Sequence, residues 1–344
     1  MVQIPPLSRA TKAILVALLT VALLVLFLRN SDLRRVGALI RSTNVGWLAV
    51  ALLCNFTALV CRAERWRTIL NPSSRPPFYT TFFSTALGFM ASAVLPIRAG
   101  DVIRPALLSR RTGIRFSTAL GTVLTERVLD LISILSLFSL FVLSTILAPG
   151  RMALGRVLFI KSIGFVAMSI LVVMVCFVVS LYFFHGFVRK MHSALGKLLP
   201  ERVRSGWMAF FDSFVASLSI ARNRGALARV LLLTATIWTC LTSQFFFVML
   251  ALRHPLPFMA SFFVTGMVIL GFAIPTPGGV GGFHKVCQIV LTSFYQLDLD
   301  VSVAVALVFH AVGTAPVILT GMYLLVHEGL TLRQLARIGE NPEE

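Results

Sequence analysis

Uncharged stretches set the limits for this chain: residues 13–28, 42–61, 76–97, 131–150, 162–184, 230–252, 255–283 and 301–326 carry no Asp, Glu, Lys or Arg. Most of them reach the roughly 20 residues that a helix needs to cross a hydrocarbon core. They predict an all-α fold, a polytopic membrane helix bundle of about six full spans plus two re-entrant hairpins in an inverted repeat. A transmembrane barrel would alternate polar and apolar positions over segments of about 10 residues, and these continuous runs have no such period. Composition argues the same way, since 57% of residues are apolar and 13% charged, against about half and about a quarter in soluble domains.

The formal charge of +18 raises the question of nucleic acid. The basic residues fall in short segments between spans, without an aromatic-studded basic domain, so membrane topology accounts for them and no nucleic-acid partner is expected. Cys54, Cys61, Cys176, Cys240 and Cys287 are scattered, without C-x-x-C or Cys/His spacing, and read as small buried hydrophobes. Arg9 and Lys12 precede the first apolar run in the manner of a signal peptide. That run ends in Leu28, Arg29, Asn30 without a small-x-small cleavage pattern, and is expected to be an uncleaved span.

An internal repeat organises the rest. Pro77, Phe78, Phe82, Phe83, Leu95 and Pro96 recur as Pro257, Phe258, Phe262, Phe263, Ile274 and Pro275, at an offset of 180 that slips to 179. Each copy is an apolar run ending in Pro and a Gly-containing turn, followed by a further apolar helix. The expected layout is one integral membrane domain, 1–344, with repeat halves at about 45–148 and 229–326 and a cytoplasmic amphipathic connector at about 185–228. If both Pro-terminated runs enter and leave on one side, the segments 1–12, 62–75, 98–116, 185–228 and 327–344 lie inside with 20 Lys or Arg, against 9 in the outer segments. This satisfies the positive-inside rule and places both termini in the cytoplasm. Three crossings then separate the hairpins, so the copies are inverted, the plan by which many transporters build a central site from broken helices. Kinks in ordinary packed spans are the alternative reading of the same Pro and Gly residues.

Ionisable groups within this apolar envelope are the candidate site. Glu126 and Asp130 share a helical face at i, i+4, and Arg127 can pair with Asp130 at i, i+3; an interfacial ion pair in the first turns of a long helix is the competing reading. Arg98, Asp101 and Arg104 follow the first Pro break, where a guanidinium fork beside free helix-end N–H groups suits an anion such as a lipid phosphate. In the second copy Thr276, Gly278 and Gly279, with Gly281 and Gly282, offer close backbone approach and a possible anion nest. His310 stands at an offset of 183 from Arg127, as a packing residue or a proton carrier. Val203, Trp207, Phe210, Phe211, Phe214 and Leu218 recur at helical spacing, either on the headgroup surface or packed on the bundle. No H-E-x-x-H, G-x-S-x-G, Walker or Rossmann pattern occurs, so no catalytic residue, metal or cofactor is assigned.

The segments Leu95 to Arg104, Glu126 to Asp130 and Pro275 to Gly282 resemble the lysylphosphatidylglycerol synthase transmembrane region, a flippase-like family, with a resemblance running from about residue 10 to 330. It implies an inverted-repeat bundle that moves lipid headgroups across the cytoplasmic membrane. Two positions depart from that pattern: His284 stands where members often carry Glu and His310 where they often carry Arg, which implies a different cargo. Well-studied members append a soluble aminoacyl-transferase domain, whereas about 17 residues follow the last span here, so the chain is not expected to be the synthase. The expected function is translocation of an anionic or zwitterionic lipid of phospholipid, hopanoid or polyprenyl-phosphate type. The alternatives are an intramembrane transferase with Glu126 or Asp130 as base, and an accessory subunit partnered with a lipid-synthesis enzyme.

Overall fold

The computed structural model describes residues 9–70, 76–95, 99–147, 154–183, 204, 208, 212, 214–272, 274 and 276–341. These residues form an all-helical polytopic bundle. The helices are α1 (Arg9–Leu28), α2 (Leu33–Arg41), α3 (Val45–Ile69), α4 (Phe78–Val94), α5 (Gly100–Thr112), α6 (Phe116–Leu147), α7 (Leu154–Phe183), α8 (Arg224–Ala251), α9 (Phe258–Phe272), α10 (Gly282–Tyr295), α11 (Leu299–His327) and α12 (Leu332–Glu340). Among the described residues α3, α6, α7, α8 and α11 are each long and apolar enough to cross a membrane. The helices α1 and α2 add a further span if counted together, although they bend by 85° at their junction. Asp32 makes that break by capping α2, accepting from the Arg34 and Arg35 N–H groups.

Side chains facing outward are apolar, as lipid requires. Phe165, Val173 and Leu147 are exposed, and little of α7 is buried inside the bundle. Cys176 is exposed on α7 for this reason, contrary to the expectation of a buried small residue, whereas Cys287 is fully buried. Inside, Phe138, Phe141, Phe245, Phe263, Phe283 and Phe309 belong to one buried cluster. In a membrane this packing acts through dispersion more than through release of water.

The helices α4 and α5 fold back on each other, as do α9 and α10. Glycine makes both crossings possible. A Cβ on Gly88 would lie 2.7 Å from Arg104 Cβ, and one on Gly100 would overlap the Gly88 carbonyl. In the second pair a Cβ on Gly271 would lie 2.7 Å from the Gly282 carbonyl oxygen. Small residues let helix backbones approach in this way. Gly88→Ala is expected to destabilise the bundle by about 1–3 kcal/mol, the usual effect of overpacking. Thermal melting in detergent checks this, and a variant that melts with the wild type would show that the arms can part without loss.

The two hairpins open toward opposite ends. At the α4/α5 mouth, Tyr79 Oη donates to Glu328 Oε1 at 2.8 Å and Arg111 Nη2 donates to Glu328 Oε2 at 2.5 Å. Glu328 is the C-terminal cap of α11. These two bonds, Arg111 first, hold the Glu328 carboxyl below the usual carboxylate range. The α9/α10 pair opens at the other end, where Tyr295 ends α10 just before α11 starts at Leu299 and Arg35 of α2 pairs with Asp300 at 3.2 Å. Between the hairpins in sequence come α6, α7 and α8. The helix α12 lays Leu335 and Ile338 against the buried cluster that contains Ile103 of α5.

One expectation about the loops needs correction. Residues 62–69 are not part of an inter-span segment, because α3 continues to Ile69 and carries Arg65 into the core at 1% exposure. Acidic partners on α6 make that burial tolerable. Most of the connector 185–228 lies outside the described residues. In the part that is described, Phe214 is buried against Leu124 and Val128, and Ser217 Oγ hydrogen-bonds Thr125 Oγ1, so this end packs on the bundle.

Candidate functional site

Helix α6 enters the core with Glu126, Arg127 and Asp130, and each finds a different set of partners. Both oxygens of Glu126 are taken: Arg65 Nε donates to Oε1 at 3.3 Å and Arg104 Nη1 to Oε2 at 2.6 Å. Asp130 Oδ1 accepts from Arg65 Nη1 at 2.8 Å and from Trp238 Nε1 at 3.3 Å. Its other oxygen lies 3.5 Å from Arg62 Nη1 and 3.6 Å from Arg127 Nη1. The i, i+3 pair expected between Arg127 and Asp130 is therefore the longer contact. The short one runs to α5, where Arg127 Nη2 donates to Asp101 Oδ1 at 2.5 Å.

These contacts divide the cluster in two. Arg65, Arg104 and Glu126 are fully enclosed, at 1%, 3% and 2% exposure. The Arg104 guanidinium sits 3.9 Å from the centroid of the Trp66 ring, and Trp66 Nε1 is held by Thr122 Oγ1 at 2.9 Å. A guanidinium stacked on indole and paired with a carboxylate is a fixed part of the core. Arg127 and Asp101, by contrast, keep 36% and 43% of their side-chain surface open. Arg127 Nε has no hydrogen-bond partner among the described residues, so the fork retains donor capacity.

A cavity of about 410 Å³ lies where the hairpin tips meet. Arg62, Asp101, Arg127 and Asp130 line one part of it; Ser92 and Ala93 come from the end of α4, and Thr276, Gly278, Gly279 and His310 from the second half. Ile134, Leu241, Ile269 and Val317 supply apolar wall between them. Asn55 Nδ2 donates to Gln244 Oε1 at 3.2 Å and to the Gly313 carbonyl at 3.1 Å, joining α3, α8 and α11 at the wall. The cavity thus has one end rich in charge, an uncharged polar flank and an apolar lining, which suits an amphiphile's headgroup and first methylenes.

Of the residues singled out in the sequence, Asp101, Arg127, Asp130, Thr276, Gly278, Gly279 and His310 share this cavity. Arg98 lies outside the described residues. Arg104 and Glu126 do not line the cavity; they stand behind it, because each neutralises the other and Trp66 covers the guanidinium. At the second turn, where an anion nest is expected, three of the backbone donors are already engaged. Gly279 N–H donates to the Thr276 carbonyl at 3.1 Å and Val280 N–H to that of Pro277 at 3.1 Å, while Gly281 N–H donates to His284 Nδ1 at 3.3 Å. The first two donors close the short 3-10 turn Pro277–Gly279 and the third caps the start of α10. Gly278 has φ +58°, and a Cβ there would lie 2.9 Å from the Ala93 carbonyl oxygen, so glycine is what lets the two tips touch.

The sequence reading passed over Arg62, Arg65, Trp238, Asn55 and Gln244. The sequence holds a usable signal: Arg62 and Arg65, three apart, share one helical face, as Glu126 and Asp130 do four apart on α6.

Residues 13–321 match the family described as the lysylphosphatidylglycerol synthase TM region. The chain is also similar to the glycosyltransferase AglD of Haloferax volcanii, 25% identical over 343 residues covering 92% of this chain. It spans about half, 54%, of that relative's own length.

Proposed function

The chain belongs to the lysylphosphatidylglycerol synthase TM region family, and from that premise we propose that it is a lipid translocase of a cytoplasmic membrane, with both termini on the cytoplasmic side. It takes an anionic or zwitterionic headgroup into the cavity between the hairpins while the acyl or prenyl chains stay in the bilayer. The observation that carries this reading is the single cavity shared by both hairpin tips, with a partly open Arg127–Asp101 pair on its wall. The hairpins open toward opposite ends, so parting one mouth or the other exposes the same cavity to opposite sides. In this reading the halves 45–148 and 229–326 are the inverted repeat units, and a phosphate oxygen displaces Asp101 from the Arg127 fork.

Flux is the test. Full-length protein in vesicles should accelerate movement of at least one labelled lipid in a panel of phospholipids, hopanoid lipids and polyprenyl-phosphate lipids. Protein that leaves every one of them at the rate of empty vesicles would sink the reading.

A second reading, group transfer on a lipid-linked sugar, draws support from the name of the Haloferax relative. The geometry favours it less, since Glu126 has both oxygens bonded to guanidinium groups and Asp130 meets three arginines and an indole. Product formation by the purified chain from a lipid-phosphate sugar would favour it over translocation.

A further inference from the structure

The two halves bring different cationic residues to one cavity. Arg127 comes from the first half, permanently charged; the second supplies His310, at the offset of 183. Beside His310 the N–H groups of Gly279 and Val280 are taken by the Thr276 and Pro277 carbonyls and that of Gly281 by His284 Nδ1, so these three donors are not open to an anion and a side-chain cation is the stronger candidate. Lys285 is committed elsewhere, with Nζ on the Leu26 carbonyl of α1 at 3.1 Å and on Gln288 Oε1 at 2.7 Å.

His310 is arranged to gain a proton without moving. Its Nε2 lies 2.8 Å from the Gly278 carbonyl oxygen. A carbonyl can only accept, so Nε2 carries the hydrogen and Nδ1 is the position that takes a second one. The Gly278 bond persists in both states. His284 has the same tautomer, because its Nδ1 accepts from Gly281 N–H. The two imidazole centroids are 4.5 Å apart, but the His284 Nδ1 lone pair is already taken by Gly281 N–H, which leaves His310 as the ring with a free position for a proton.

The surroundings are otherwise apolar or uncharged. Around His310, α9 presents Phe272 stacked at 6.3 Å and α10 presents Phe283 edge-on at 5.1 Å. The helix α1 places Phe27 against His284 at 5.1 Å. Across the cavity α8 contributes Gln244, α4 contributes Ser92 and Ala93, and the charged groups facing His310 among the described residues are Arg62 on α3, Asp101 on α5, and Arg127 and Asp130 on α6.

We propose that His310 is a protonatable anion-binding residue of this cavity: as an imidazolium it holds the headgroup phosphate passed from Arg127, and loss of the Nδ1 proton to water releases it. The proposal rests on the translocase reading and adds its coupling, one proton moving with each headgroup. A side chain whose charge depends on one proton can do this where a second arginine would hold the anion at every pH.

The test uses the full chain in detergent, titrated with phosphatidylglycerol and followed by thermal stabilisation, alongside flux of labelled phosphatidylglycerol in phosphatidylcholine vesicles. Between about pH 5.5 and about pH 8.5 the wild type should lose affinity roughly tenfold or more, following imidazole titration. His310→Arg should bind without that pH dependence, His310→Gln should bind weakly at both pH values, and His284→Gln should keep the wild-type profile. A His310→Gln variant with the wild-type profile overturns the proposal, as does wild-type binding that ignores pH. Inorganic phosphate stabilising as well as the lipid overturns the headgroup assignment. Binding that follows pH without any flux refutes translocation and leaves the anion site standing, whereas flux that ignores pH does the reverse. Should the His310 variants fail to fold, nitrogen-15 histidine spectra of the wild type decide: the lipid must raise the His310 titration midpoint, and an unmoved midpoint overturns the proposal.

Discussion

Arg65→Leu is expected to abolish the folded protein in detergent. The side chain is 1% exposed and bonds Glu126, Asp130 and Thr234 at once. Deleting it leaves Glu126 with Arg104 as its one guanidinium partner and Asp130 with only the longer contacts to Arg62 and Arg127, and breaking one buried ion pair already costs about 3–5 kcal/mol. Since whole-domain stability is about 5–15 kcal/mol, a loss of this size removes a large part of it. Arg65→Lys should recover only part of the difference, because a single ammonium cannot reach both carboxylates in the bidentate manner of the fork. Size-exclusion profiles and melting temperatures of the three proteins measure this. An Arg65→Leu variant melting within a few degrees of wild type would show that Arg62, Arg104 and Arg127 suffice to hold the two carboxylates.

Arg65 also shows why the sequence reading stopped where it did. The uncharged runs mark the apolar helices, and Pro with Gly marks where two of the runs break, since each follows from local chemistry. The dense charge after residue 61 has two physical readings, a cytoplasmic loop or a helix that continues with buried partners, and the positive-inside count is satisfied by the first. Separating them requires knowing that Glu126 and Asp130 lie opposite, a contact 61 and 65 positions away along the chain. The same limit explains Arg104. Its place after the Pro break reads as an open fork for an anion, but in space Asp101 turns to Arg127 and Arg104 turns to Glu126 beneath Trp66. His310 was legible as a member of the site through the repeat offset alone. Its tautomer depends on the Gly278 carbonyl, and no pattern in the sequence specifies that bond.

The half-open pair should behave in the opposite way from Arg65. Arg127→Leu combined with Asp101→Leu removes an acid and a base together, each with more than a third of its side-chain surface open, so neither leaves a deeply buried charge behind. Partly solvated pairs contribute little to stability, typically ~0–1 kcal/mol. The double variant is therefore expected to melt near the wild type, while lipid flux falls about a hundredfold through loss of a bidentate phosphate contact, an effect of order 3 kcal/mol for a charge-assisted pair. Asp130 is the wrong partner to delete with Arg127, because Arg62 and Arg65 would then lose their counter-ion. The sign of the Asp101 effect is the more telling measurement. If Asp101 competes with the headgroup for the fork, Asp101→Asn alone should tighten phosphatidylglycerol binding and slow its release; if Asp101 merely orients Arg127, the same change should weaken binding. A tightened complex with slower flux identifies the carboxylate as the group that the phosphate displaces. A double variant that keeps wild-type flux would reduce Arg127 to structural charge and leave the cavity without its anion contact in the first half.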